Sequence, residues 1–477
     1  MQRLVSRLSP SVVRLNRAVP STSILNSSSL PPPALTTDTK RNFTWMPKNA
    51  RPVSSTPPLP PPTSPPTSSP TSESEDVYPG AISRCQWEGA GPFDSYNLPQ
   101  HTYLPSHSRK KRVLVLCTGG TLTMAPDSTK DGGLAPVEGA LTEWMSNMRE
   151  LQQDEMPEIK VHEYSPLLDS SDMGPCNWAR IAVDISKNYL YFDGFVVLTG
   201  TDTMAYTASA LSFMLENLGK PVIFTGSQIP LCEAYNDARR NLIMSLIFAS
   251  RDTVNEVGVF FHDRLLRANR STKINTDRLL AFDSPNMEPL ANIGITIDEN
   301  EHLFLPQPKG RLRVHSEMDT RLMTVRLVPG FDDSVIKYAV ENPDTNMKAL
   351  VLQLYGAGNM PSNKSSFIQV LEAAREREIL VVATTQCLTG SVMLGHYAVG
   401  HALKEAGVVS AYDMTVEATC CKLAYLFGRE DLTPYEVKRL MGVSLRGEMT
   451  MDSQSSSPPF TEKIAGMTFT QNRGRKV

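Results

Sequence analysis

The sequence predicts an α/β protein of the doubly wound type: two α/β domains with mainly parallel sheets, the larger one first, behind a disordered N-terminal extension. Three observations lead there. From Arg112 onward, short apolar runs alternate with segments of helix length. The runs are apolar at every position rather than at every second one, the pattern of strands buried on both faces of a parallel sheet. Prolines are also divided unevenly, with 19 of the 36 in residues 1–108, so that this stretch far exceeds the roughly 5% of an ordinary globular chain.

The elements follow in order. Strands are expected at Val113–Cys117, Gly194–Thr199, Pro221–Thr225 and Val257–Phe261, then at Ala349–Tyr355 and Ile379–Thr384. Helices are expected at Trp178–Leu190, Met204–Leu218, Asp237–Ser250, Ser366–Arg377 and Thr415–Phe427. Strands separated by helices make crossover units and hence a sheet covered on both sides. The segment 299–320 is polar, has little periodicity and contains Pro306, Pro308 and Gly310, so it is expected to connect two domains, 109–298 and 321–452. Residues 453–477 return to Ser, Pro and basic residues and are expected to form a loose tail.

The first 108 residues have a different character. Residues 1–37 contain no Asp or Glu but carry Arg3, Arg7, Arg14 and Arg17 among Leu and Val. That is the composition of a mitochondrial transit peptide and also of a disordered basic tail; Pro10 and Pro20 allow only short helical pieces. Residues 52–72 are Pro/Ser/Thr-rich, a composition that favours extended polyproline geometry over a packed core.

Charge excludes several functions. With 47 basic and 50 acidic residues the net charge is −3, which argues against broad nucleic-acid or membrane-surface binding. No apolar run approaches the ~20 residues of a membrane helix. Seven cysteines, an odd number without a CxxC pair, do not read as a disulfide framework, and a reducing compartment is the simpler setting.

The informative pattern lies at the strand ends. Val113–Cys117 runs into Thr118-Gly119-Gly120-Thr121, Gly194–Leu198 into Thr199-Gly200-Thr201-Asp202-Thr203, and Pro221–Phe224 into Thr225-Gly226-Ser227. Open α/β sheets bind ligands outside the carboxyl ends of their strands. Glycine allows a close backbone approach there and leaves N–H groups facing the ligand. One such turn merely ends a strand; three on parallel strands make a polar pocket.

The chain has no GxxxxGK[ST], GxSxG, HExxH or dinucleotide fingerprint, and no His/Cys cluster with metal-ligand spacing. Hydroxyls, a carboxylate and a lysine remain: Thr201 and Asp202 at a strand end, and Lys273 in the polar loop 267–276. A threonine hydroxyl becomes a useful nucleophile when a base takes its proton, and lysine can be that base. These residue types point to acyl transfer through a covalent intermediate.

Longer motifs carry a resemblance. Thr118–Thr121 (TGGT), His162–Met173 (HEYSPLLDSSDM), Gly194–Pro230, Arg270–Lys273 (RSTK), Asp283–Pro289, Tyr355–Asn359 (YGAGN), Asp413–Ala418 (DMTVEA) and Leu445–Thr450 (LRGEMT) together resemble the type I (cytosolic) L-asparaginases, across roughly residues 110–452. The resemblance implies a two-domain α/β fold and hydrolysis of L-asparagine to L-aspartate and ammonia, without metal or organic cofactor. It implies Thr121 as nucleophile and Thr201, Asp202 and Lys273 as the triad that completes the machinery. Ser170 and Ser171 would bind the substrate α-carboxylate, and Asp202 with Thr201 the amino-acid end. It further implies a homodimer or homotetramer in the cytoplasm, with Asn359 reaching a partner's site; Asn359 also reads as a turn residue after Gly358.

Two departures stand out. The loop Pro126–Pro136 has glycines suited to a mobile lid but no Tyr, which several bacterial relatives use to position the nucleophile. Gln353 stands where bacterial relatives often carry an Arg near the effector region, which weakens the case for asparagine-driven allostery, while Cys387 nearby fits the family pattern. Glu417 is read as a helix-start residue, Met204, Phe213 and Met214 as core, and Cys117 as buried strand. Some animal relatives are described as lysophospholipases, so broader amidohydrolase or lipid hydrolysis is one alternative. A non-catalytic amino-acid-binding scaffold is another, and the intact Thr121, Thr201, Asp202 and Lys273 argue against it.

Overall fold

The structure, a computed structural model, describes residues 110–126, 134–395 and 398–450. The expected extension 1–108, residues 127–133 of the expected lid loop and the expected tail 453–477 lie outside these. The first sheet has eight strands: β1 (Arg112–Cys117), β2 (Glu158–Glu163), β3 (Gly194–Leu198), β4 (Val222–Thr225), β5 (Val257–Phe261), β6 (Arg264–Arg267), β7 (Ala291–Ile293) and β8 (Ile297–Glu299), in spatial order β8-β7-β6-β5-β4-β3-β1-β2. β2, β1, β3, β4 and β5 are parallel neighbours, and β6, β7 and β8 add an antiparallel edge. The four runs read from sequence are the inner strands β1, β3, β4 and β5. The two-residue turn after Phe261, with His262 and Asp263 both at positive φ, sends β6 back beside β5.

Alternate residues serve opposite faces. Leu114, Leu116, Phe195, Val197, Val222 and Phe224 pack beneath α2 (Pro175–Asn188) and α3 (Met204–Met214). Val113, Val115, Val196, Leu198 and Ile223 pack against α1 (Ala140–Ser146) and α4 (Ala238–Ala249). This is the doubly wound arrangement expected of strands apolar on both sides. α2 begins at Pro175, earlier than expected, because proline suits the first helical position and Asn177 Oδ1 accepts the Gly174 N–H at 2.9 Å.

α3 is buried on every side except at the half-buried Tyr206, the pattern of a helix enclosed within a core. It stops at Met214 rather than Leu218, because Leu215–Glu216 pair with Arg313–Val314 in an antiparallel bridge. Strand pairing there outweighs helix propensity.

The second sheet is parallel: β9 (Leu322–Arg326), β10 (Ala349–Leu354), β11 (Leu380–Thr385) and β12 (Val409–Ser410), in that order. One face, with Leu350, Leu352 and Val381, is covered by α5 (Ser334–Glu341), α6 (Ser365–Glu376) and α7 (Ala398–Glu405). The other, with Val351 and Val382, shares its core with α8 (Val416–Phe427), α9 (Pro434–Met441) and the helices of the first sheet. α8 lies directly against α3, with the rings of Phe213 and Tyr425 stacked at 5.9 Å. Among the described residues no helix is long and apolar enough to cross a membrane.

The segment after α9 is fastened by a wholly buried ion pair, Lys422 Nζ to Glu448 Oε1 at 2.7 Å. Burial alone would raise the Glu448 carboxyl, but the Lys422 ammonium and the N–H groups of Leu445 and Arg446 hold it below the usual carboxylate range. Lys422 also donates to Val443 O at 2.6 Å. Removing one member leaves the other charge buried and unpaired. Lys422→Met is therefore expected to lose about 3–5 kcal/mol in urea denaturation, and Lys422→Met/Glu448→Leu to recover part of that loss.

Candidate active site

Register brings the three strand-end turns together. Cys117 lies opposite Leu198, and Leu198 opposite Thr225, so β1, β3 and β4 end level at one edge of the sheet. Within each turn the hydroxyls divide the work. The first ones fasten the structure: Thr118 Oγ1 donates to Leu198 O at 3.0 Å, Thr225 Oγ1 to Phe260 O at 2.9 Å, and Thr199 Oγ1 to Met173 Sδ at 3.2 Å. All three are buried. The hydroxyls beyond the glycines, on Thr121, Thr201 and Ser227, make none of these anchoring contacts.

The glycines are there because backbones touch. A Cβ on Gly120 (φ +90°) would lie 2.3 Å from Gly200 N, and one on Gly119 (φ +126°) would lie 2.3 Å from Leu168 O. A Cβ on Gly200 would come within 2.5 Å of Ser170 Oγ. The TGGT turn thus lies against the turn after β3, and that turn against the segment carrying Ser170. Thr121 and Thr201 each follow directly on the Gly120–Gly200 contact.

Lys273 reaches this place from a two-strand bridge, Thr272–Lys273 paired with Phe282–Asp283. Its Nζ donates to Thr201 Oγ1 at 2.8 Å and to Asp202 Oδ1 at 2.6 Å. Thr201 is buried, whereas the Asp202 side chain is 70% exposed, so the pair has little value for stability and keeps a carboxylate face open to a ligand. The structure therefore joins Thr201, Asp202 and Lys273 directly.

Ser170 is buried against Gly200, and its carbonyl accepts the Thr203 hydroxyl at 2.5 Å. Ser171 follows in the same single-turn helix, its N–H and hydroxyl both donated to Asp169 Oδ1 at 2.8 Å. Thr121 Oγ1 has no hydrogen-bond partner among the described residues. Asn359 stands apart on the second sheet, in an exposed turn where Tyr355 and Asn359 exchange backbone hydrogen bonds and its Oδ1 accepts the Met360 N–H at 3.0 Å. Met124–Pro126 and Leu134–Pro136, on either side of residues 127–133, pair antiparallel. Burial pushes the Cys117 thiol up to about 12, which leaves it inert as a nucleophile. Among the described residues no group of three or more His, Cys, Asp or Glu is placed to hold a metal ion.

Gln228 is a neighbour that sequence reasoning missed. It directly follows the Thr225-Gly226-Ser227 turn, and its Oε1 lies 3.5 Å from Thr201 Oγ1. Its amide Nε2 donates to Thr276 O at 3.0 Å and Arg278 O at 3.2 Å, tying down the loop beyond Lys273. Its backbone N–H is held by Asp237 at the start of α4. Its place at the end of the third turn was the only available signal.

Residues 112–305 match the family model "Asparaginase, N-terminal", and residues 321–441 match "Glutaminase/Asparaginase C-terminal domain". The chain belongs to the asparaginase family. It is 47% identical over 344 residues to L-asparaginase 1 of Escherichia coli K12, covering 72% of this chain and 99% of that one. The crystal structure of L-asparaginase I from Vibrio cholerae superposes with a TM-score of 0.66 at 42% identity, covering 72% of this chain and all of that one. A mouse protein named 60 kDa lysophospholipase is 39% identical over 360 residues, covering 72% of this chain and 63% of that longer protein.

The glycine contacts give a direct test. Gly120 and Gly139 both have positive φ, but a Cβ on Gly139 would meet nothing within 4 Å. Gly139→Ala is expected to cost only the left-handed strain of about 1–2 kcal/mol. Gly120→Ala adds the backbone clash and should depress the melting temperature clearly further in parallel thermal melts.

Proposed function

We propose that this asparaginase-family chain hydrolyses L-asparagine to L-aspartate and ammonia through an acyl-threonine intermediate on Thr121. The observation that carries the reading is the Lys273 amine, 2.8 Å from Thr201 Oγ1 and 2.6 Å from Asp202 Oδ1, beside the Gly120–Gly200 contact from which Thr121 emerges. Thr121 Oγ attacks the side-chain amide carbonyl. N–H groups around Gly119–Thr121 and Thr201 stabilise the oxyanion. The C–N bond breaks, its nitrogen takes a proton and ammonia leaves. Water then attacks the acyl-threonine, its hydroxyl going to the acyl carbon and its proton restoring the Thr121 hydroxyl as aspartate leaves. Thr201, Lys273 and Asp202 form the hydrogen-bonded relay that moves these protons.

The substrate needs an anion for its α-ammonium and donors for its α-carboxylate. Asp202, with its largely exposed side chain, supplies the first, and the Ser170–Ser171 turn the second. We further propose a cytoplasmic homodimer or homotetramer in which Asn359 of one subunit approaches the site of another, and a domain division at 299–320. The family's supply of relatives named as asparaginases, including one spanned almost completely, supports the reading over lipid hydrolysis.

Thr121→Ala and Lys273→Met are each expected to lower kcat by about 1,000-fold or more with unchanged circular dichroism. Wild-type turnover in Thr121→Ala would remove the nucleophile assignment. The mouse relative's name gives the second reading its own assay. Ammonia release from asparagine and from glutamine is measured beside fatty-acid release from lysophosphatidylcholine. Ammonia from asparagine is the expected result; fatty acid without ammonia would replace the asparaginase reading.

A further inference from the structure

Lys273 belongs to the chain of the first sheet, yet elements packed on the second sheet hold the residues just before it. Three positions upstream, the buried Arg270 forms a two-pronged pair with Asp413: Nη1 to Oδ1 at 3.0 Å and Nη2 to Oδ2 at 2.8 Å. The same guanidinium donates to Glu448 O, Asn286 O and Thr450 Oγ1. Immediately before Lys273, Thr272 Oγ1 donates to Glu417 Oε1 at 2.6 Å. Glu417 lies in the first turn of α8, where Thr415 Oγ1 caps the helix by accepting the Ala418 N–H.

Thr272 and Lys273 are successive residues of an extended bridge, so their side chains leave opposite faces of the chain. A hydroxyl held toward α8 therefore sends the lysine away from α8, to Thr201 and Asp202. The other half of the site rests on the same helix. α3 starts three residues after Thr201 and packs along α8; Cys421 Sγ donates to Tyr206 O at 3.3 Å, and the Phe213 and Tyr425 rings stack. α8 is thus the common abutment for both partners in the 2.8 Å Lys273–Thr201 contact.

We propose that Glu417 is a positioning residue: through the Thr272 hydroxyl it sets the reach of the Lys273 amine to Thr201 and Asp202. Its effect on turnover rests on the asparaginase reading above; its effect on Lys273 does not. Glu417 touches no reacting atom. It acts on the angle at which the lysine leaves the bridge, where a displacement of about 1 Å is costly to a relay.

The test uses the full chain with Glu417→Ala, Thr272→Val, the double variant and Glu417→Gln. Glu417→Ala and Thr272→Val are each expected to lower kcat about tenfold with KM within about twofold. The double variant should be no worse than either single one, because both remove one contact. Glu417→Gln, which keeps an acceptor for Thr272, should restore most of kcat. Losses that add, that follow the melting temperature, or that Gln does not restore would overturn the proposal. Competitive acetylation with acetic anhydride, read by mass spectrometry, tests it without turnover. Labelling of Lys273 relative to the exposed Lys337 should rise severalfold in both single variants, and unchanged labelling overturns the positioning role. A wild type that releases no ammonia removes the asparaginase reading, and the labelling experiment still decides the fate of the Glu417 contact.

Discussion

Everything at this site depends on two backbones touching. Gly120 lies so close to Gly200 that a single methyl group between them would sit 2.3 Å from a backbone nitrogen. Such proximity is only available where parallel strands end level, because a shift of one residue in register would carry one turn away from the other. The anchoring hydroxyls of Thr118 and Thr225 hold each strand end to its neighbour's carbonyl. With those bonds made, Thr121 and Thr201 each follow directly on the same backbone contact. A site built from backbone is also rigid, which suits chemistry that requires fixed donors.

The same constraint ties the site to the second sheet. α3 carries Thr201 and Asp202 at its N-terminal approach and has no solvent-facing side except at Tyr206. Its outer surface is covered by α8, which belongs to the later half of the chain. Sheet, helix and helix are stacked in one core, so a distortion of the second domain reaches the turn after β3 through packed atoms rather than across solvent. Two domains in sequence behave here as one support for one site.

Much of this was legible in the residues. β1, β3, β4 and β5 stood out because both their faces are buried, which makes them apolar throughout. Thr-Gly turns marked the ends of β1, β3 and β4. β2 and β9 were missed because edge strands need only one buried face; Glu158–Glu163 alternates charged and apolar residues and does not stand out from a loop. The end of α3 was misplaced because its limit is set by Arg313–Val314, about a hundred residues away. Residue type marked Thr201, Asp202 and Lys273 and the family motif added Thr121, whereas the meeting of Thr201, Asp202 and Lys273 is a property of the fold. Gln228 and Glu417 illustrate what remained hidden. Glu417 could be read only as a favourable helix start, since nothing local to it reveals a hydroxyl at position 272.

The buried Lys422–Glu448 pair has a consequence for where the folded unit ends. Similarity to the C-terminal family model stops at residue 441. A chain cut there would keep Lys422 in the interior of α8 and lose the carboxylate that neutralises it, along with the carbonyl of Val443. It would also lose the Glu448 carbonyl and the Thr450 hydroxyl that hold Arg270. The physical boundary of the folded unit therefore lies beyond the statistical one, at or after Thr450, and a shortened form meant to isolate the catalytic part has to retain those last nine residues.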